Sequence, residues 1–278
     1  MGNRIVIEAE KAGGNYWKDV FTYKGLLYFL AWRDVTVRYK QTVIGVAWAL
    51  IRPLLTIVVF TFLGSIYGTD TNGVSRILAV TAATIPWQLF SAALNDSSNS
   101  LVSNTNLITK VYFPRIIIPL STVLVCLLDF ALSLLILAGL MLYNGHAPTW
   151  TISFLPLFVL LTVIGALGFG LFFGALNVKY RDFRYALPFV IQLGLFVSPI
   201  AFSSSDIYNR PELHEAVKFL YSLNPMVAVI EGFRWCLLGG TFGLELKYFL
   251  ISCSVSIVAI VLGITYFRNT EKTFADQI

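Results

Sequence analysis

The sequence predicts an all-α polytopic membrane protein. Six transmembrane helices are expected, with an N-terminal amphipathic interface helix and two short re-entrant or interfacial helices before the last span. Three observations predict this. Only 13% of the 278 residues are charged, about half of the ~25% that a water-soluble domain carries. The chain is 57% hydrophobic, with a mean hydropathy of +0.75. The apolar residues fall in long unbroken runs, not in the alternating ten-residue stretches of a membrane barrel. The same figures exclude a disordered chain, a collagen-like repeat and a disulfide scaffold.

The elements follow in order. Residues 1–24 are polar and read as partly extended, without the apolar core of a cleavable signal peptide. Residues 25–41, GLLYFLAWRDVTVRYKQ, mix rings with Arg33, Arg38 and Lys40. That pattern suits a helix in the membrane interface, with rings at headgroup depth and cations toward anionic lipid. Residues 1–42 therefore form one unit, and 43–278 the transmembrane domain. A span needs ~20 apolar residues to cross ~30 Å of hydrocarbon. Six runs approach this, at 43–67, 76–94, 116–142, 152–177, 187–202 and 246–267. Between the last two lies an outer segment, 207–244. Its residues 211–223 read as an amphipathic helix opened by a proline. Its residues 226–238 are apolar but too short to cross, which suits a re-entrant helix. Glu231 and Arg234, three apart there, share a face and can pair.

Charge sets the orientation. Arg4, Lys11, Lys18, Lys24, Arg33, Arg38 and Lys40 precede the first run. Lys110 and Arg115, then Lys179, Arg181 and Arg184, and finally Arg268 and Lys272 fall on the same side of a six-span chain. The opposite side holds fewer, so the positive-inside rule places both termini in the cytoplasm.

Several chemistries have no signature. A Gly-Lys dipeptide never occurs, so no Walker A loop is present. His214-Glu215 lacks the second histidine of a zinc helix, and no G-x-S-x-G elbow exists. Asp and Glu are scattered, without the clusters that hold magnesium. Cys126, Cys236 and Cys253 have no metal or redox spacing and read as buried hydrophobes. No catalytic site, metal or bound cofactor is expected on this chain, and the positive charge suits a membrane face, not nucleic acid.

Three stretches carry a resemblance. They are WRDVTVRYKQTVIGVAW at 32–48, NLITKVYFPR at 106–115 and FADQI at 274–278. Together they resemble the permease subunit of polysaccharide ABC exporters, the type-2 group of O-antigen (Wzm-type), teichoic acid and, more distantly, capsule exporters. NPMVAVIEGFR at 224–234 fits the outer helix pair of that family. The resemblance implies a homodimer in the bacterial inner membrane. Two copies of a separate ATPase would carry ATP and magnesium. The cargo would be a glycan on undecaprenyl diphosphate, moved from the cytoplasmic to the outer leaflet. A type-2 exporter of a smaller lipid or drug is the rival reading.

Candidate residues follow from both sources. Loop 95–115 opens with NDSSNS, good helix-capping chemistry. A short helix then presents Leu101, Val102, Leu107 and Ile108, either to a partner or as the buried leucines of a surface turn, and Pro114 stops it. With the resemblance, Leu101, Asn106, Leu107, Ile108, Lys110, Tyr112, Phe113, Pro114 and Arg115 are the expected ATPase-coupling residues. Arg33, Arg38 and Lys40 either anchor the interface helix, meet the lipid pyrophosphate or touch the ATPase. Arg52 lies ~14 Å into the first run and Asp129 ~20 Å into the third. Charges at that depth need a partner or water. The expectation is an Arg52–Asp129 pair, or an Arg52 facing a hydrated glycan path. Sugars stack on rings, so Phe60, Phe62, Tyr67, Trp87, Phe90, Phe196 and Phe202 are candidates for a ring-lined path, with lipid contact or core packing as the alternative for each. Gly170 and Gly174 allow close helix contact, inside a subunit or between two.

Overall fold

The computed structural model describes residues 16–40, 47–67, 73–239 and 245–274. These residues form helices and no strand. In chain order they are α1 Tyr16–Thr22, α2 Lys24–Lys40, α3 Ala47–Tyr67, α4 Arg76–Ser103, α5 Thr105–Lys110, α6 Ile117–Tyr143, α7 Leu155–Lys179, α8 Phe183–Val197, α9 Ser205–Tyr208, α10 Glu215–Ser222, α11 Pro225–Leu238 and α12 Leu246–Thr270. Short 3-10 turns, Trp150–Phe154 and Glu271–Thr273, precede α7 and follow α12. Among the described residues, four helical stretches, Arg76–Ser103, Ile117–Tyr143, Trp150–Lys179 and Leu246–Thr273, are long and apolar enough to cross a membrane, and Pro53–Ile66 and Phe183–Val197 are shorter apolar stretches. The chain is a multi-pass all-α membrane protein, each apolar run lying on one of these helices.

α4 is the central helix. Of its most apolar stretch 78% is buried inside the protein, against 28–33% for the other three. Its hydropathy is accordingly the lowest of the four, because its neighbours are helices and not lipid. Small residues make this burial work: Ala79, Ala82, Ala83, Ala93, Ser97 and Ser98 are all buried, and they let the flanking backbones approach. On α7, Gly174 meets the backbone of Ser97 and Ser98, and Gly170 meets the Ser97 hydroxyl. The Gly170–Gly174 pair therefore packs within the subunit. The opposite face of α7 meets α12 even more closely. A Cβ on Gly168 would lie 2.5 Å from the backbone of Ala259 and Ile260, and one on Gly263 would strike Gly168. Overpacking a filled core costs about 1–3 kcal/mol. G168A is therefore expected to lower the unfolding temperature of the detergent-solubilised protein. G139A, where a Cβ meets nothing within 4 Å, is the matched control and is expected not to lower it, since alanine is the better helix residue.

Some elements depart from their sequence reading. Residues 16–22 are helical, not extended. The NDSSNS stretch is no cap but the interior of α4, which runs on to Ser103. Its hydroxyls bond back to helix carbonyls, Ser98 to Asn95 at 2.9 Å and Ser100 to Ser97 at 2.6 Å. Polar side chains satisfied inside their own helix need no terminus. Asn104 is the junction, ending α4 and preceding α5. α8 begins at Phe183 and ends before Ser198, whose ψ of 149° is extended, as a residue before proline (here Pro199) is driven to be. α10 begins at Glu215, not at Pro211, because His214 caps it: its Nδ1 accepts the Ala216 N–H at 3.2 Å.

Candidate coupling surface and intramembrane polar cluster

At one end of the bundle, α2, the C-terminal turns of α4 and α7, the α5 segment and the tail share a second apolar core. Leu30, Leu101, Ile108, Phe113, Ile116, Ile117, Ile118, Phe267 and Phe274 are buried in it. This changes the reading of the coupling residues. Leu101, Ile108 and Phe113, with Pro114, face inward, and Leu107 is half-buried. They hold the loop in shape and are not presented to a partner. The exposed face is Asn106, Thr109, Lys110, Val111 and Tyr112, with Tyr112 66% exposed and Val111 50%. A ring and a valine beside a lysine leave an apolar and cationic surface on a rigid base.

Glu271 locks that base. Its carboxylate accepts the Arg115 N–H at 2.7 Å and the Tyr16 hydroxyl at 2.9 Å, while the Arg115 guanidinium donates to the Glu271 carbonyl. Burial first, and then the Glu271 charge, push the Tyr16 phenol above its usual range, so it remains a donor. Arg268 lies over the Tyr16 ring at 4.6 Å. α1, the segment after α5 and the tail are thus tied at one carboxylate. Sequence reasoning missed Tyr16 and Glu271, whose sequence separation of 255 leaves no local signal. Of the FADQI stretch, Phe274 is buried against Phe267, and residues 275–278 lie outside the described residues.

The cations of α2 turn inward as well. Arg33 donates to Asp34 at 2.8 Å and to Asn104 at 2.9 Å. Arg38 donates to Asp96 on α4 at 2.7 Å and to Asp129 on α6 at 2.6 Å. The Tyr39 hydroxyl donates to the other Asp129 oxygen, and the Cys126 thiol lies 3.7 Å from Asp96. Two arginines therefore fasten α2 to α4 and α6; Arg33 is half-buried, while Arg38 and Lys40 are exposed. Asp129 pairs with Arg38 of α2; the side chain of Arg52, its expected partner, lies outside the described residues.

The candidate rings divide. Phe60, Trp87 and Phe90 are buried, while Phe62 and Phe196 are exposed and Phe202 is half-buried. Phe60 meets Phe196 with centroids 6.3 Å apart, and Trp87 meets Phe90 at 5.8 Å. The Tyr67 side chain lies outside the described residues. Rings from α3, α4 and α8 thus gather in one region, with Phe62 on the outward face of α3.

At the far end, Glu231 and Arg234 pair at 3.3 Å as their spacing predicts, and both are buried. Arg234 also donates to the carbonyls of Ala79 (3.2 Å), Ile200 (2.8 Å) and Phe202 (2.9 Å). Glu231 accepts the Ser204 N–H at 2.7 Å. Beside this network the buried rings of Tyr208 and Tyr248 stack at 4.1 Å. There the Tyr248 hydroxyl first, then Lys218 and Lys247, draw the Glu215 carboxylate down to about 2. α11, 14 residues long, is held within this network.

Known proteins place these features. A Myxococcus xanthus protein called "O-antigen export system permease protein RfbA" is 25% identical over 261 residues, covering 94% of this chain and 98% of that protein. Two Klebsiella pneumoniae proteins of the same name are 27% and 26% identical, each covering 90% of this chain and 94% of its own length. A family model described as ABC-2 type transporter matches residues 25–238, from the second residue of α2 to the last of α11, and the chain belongs to that family.

Proposed function

We propose that this chain is the membrane permease of an ATP-driven exporter of O-antigen type, acting as a homodimer with two copies of a separate ATPase. The cargo is a polysaccharide on undecaprenyl diphosphate, carried from the cytoplasmic to the outer leaflet. One observation carries the reading: relatives named as O-antigen export permeases match this chain over 90–94% of its length. The missing Walker A loop supports a partner that supplies ATP hydrolysis. Six spans with both termini in the cytoplasm put the exposed Lys110–Tyr112 face on the side where that partner sits.

In this reading, closure of the ATPase dimer pushes on Lys110, Val111 and Tyr112. The rigid core beneath them passes the push to α4 and, through Arg33 and Arg38, to α2. Because those two arginines are held by Asn104 and carboxylates, the pyrophosphate role falls first on Lys40. The test is reconstitution of the permease with its ATPase in vesicles carrying an undecaprenyl diphosphate-linked glycan. K110E and Y112A are expected to insert and fold normally, to lose most ATP-dependent export and to leave the ATPase less responsive to substrate. Normal export by the K110E/Y112A double variant would remove this face as the coupling surface.

A further inference from the structure

The central helix contains a break in its hydrogen bonding. Pro86 lies inside α4, ~15 Å from its first residue and ~25 Å from its last. It has no N–H to offer the Ala82 carbonyl, and its ring crowds that turn, so the helix is soft there. The two halves are held by different partners. The N-terminal half is fixed where Ala79 accepts from Arg234, which also grips the Ile200 and Phe202 carbonyls beyond α8. The C-terminal half is tied to α2 through Asp96 and Asn104 and continues into α5.

The first residue past the break is Trp87, and its ring rests on α8. A Cβ on Gly194 would lie 2.8 Å from that ring. α8 is otherwise loosely held, with Leu187 its one buried residue, and it ends at its own proline break, Ser198–Pro199. Below the break Ser97 and Ser98 pack on Gly170 and Gly174 of α7, and the Asn177 amide donates to the Ser98 carbonyl at 3.0 Å, so the facing end of α7 is tied to the lower half of α4.

We propose that Pro86 is a hinge, about which the lower half of α4 swings and carries α8 with it through Trp87 and Gly194. Arg234 holds the upper half of α4 and the turn after Pro199 as the fixed frame. The inference rests on the exporter reading, because the drive reaches α4 from α5.

The test uses the whole transporter, permease with ATPase, in lipid nanodiscs. Cys126, Cys236 and Cys253 are replaced by alanine, and spin labels are placed at Y185C on α8 and T265C on α12. Both sites are exposed. Pulsed electron paramagnetic resonance then reads the distance between the labels with and without ATP and magnesium. With proline at 86 the distance is expected to shift on ATP binding. P86A restores a continuous helix and is expected to fold at least as well, since interior proline is the poorest helix residue, yet to lose the shift. P86G keeps the turn soft and is expected to keep the shift. A P86A protein that retains the full shift overturns the hinge. Export of lipid-linked glycan by the proline form, scored separately, tests the exporter reading, so failure of one is not mistaken for failure of the other.

Discussion

Replacing Arg234 by methionine is expected to destabilise the folded protein by about 3–5 kcal/mol, the range for removing one partner of a buried ion pair. The site explains the size. Arg234 is 2% exposed and Glu231 4%, so neither charge has water to fall back on. Methionine fills much of the space but donates nothing. It leaves the Glu231 carboxylate without its cation and takes away the donor to the Ala79, Ile200 and Phe202 carbonyls. Each buried group left unmade costs about 1–3 kcal/mol. E231Q is expected to be milder, because a glutamine oxygen still accepts the Ser204 N–H and the arginine keeps its carbonyls. Thermal unfolding of purified protein in detergent, followed by size-exclusion chromatography, measures both. An R234M protein as stable as E231Q would show that the carbonyl contacts contribute little.

The same residue marks how far the sequence reaches. Glu231 and Arg234 pair because three residues of helix bring them to one face, a relation readable from spacing alone. The carbonyls that Arg234 grips are backbone groups, which every residue has, so nothing at Ala79, Ile200 or Phe202 announces them. The apolar runs were legible for a related reason: hydropathy depends on composition, and α3, α4, α6, α7, α8 and α12 each lie on one. NDSSNS was misread because capping preference is local, whereas the use of Ser97 and Ser98 against Gly170 and Gly174 is tertiary. Leu101 and Ile108 looked available to a partner because their short segment has no other visible apolar neighbour. The residues that cover them, Leu30, Phe267 and Phe274 among others, come from the two ends of the chain. The family resemblance pointed to loop 95–115 as the expected coupling loop, but only packing separates its inward residues from Lys110, Val111 and Tyr112.

The ion cluster on α2 leads to a second large effect. R38A is expected to destabilise more than D129N, although each removes the same 2.6 Å ion pair. Losing Arg38 leaves Asp96 and Asp129, both on membrane helices, without the cation they share, and two carboxylates competing for one site repel. Losing the Asp129 charge leaves Arg38 still paired with Asp96 at 2.7 Å, and the one asparagine oxygen still accepts from either Arg38 or Tyr39. A double-mutant cycle between Arg38 and Asp129 is expected to return a coupling of about 0.5–3 kcal/mol. The pair is about one-third exposed, which places it toward the lower part of that range. The exchange R38D/D129R is expected to recover part of what the single reversals lose, because an arginine at 129 can again lie between residues 38 and 96. The exchange R52D/D129R is not expected to do so, since it sets an arginine at 129 against Arg38 itself. Recovery by the Arg52 exchange and none by the Arg38 exchange would return Asp129 to the partner its depth first suggested. Recovery by the Arg38 exchange would make α2 a helix bolted to the bundle by charge, so that any push on α4 moves the N-terminal segment with it.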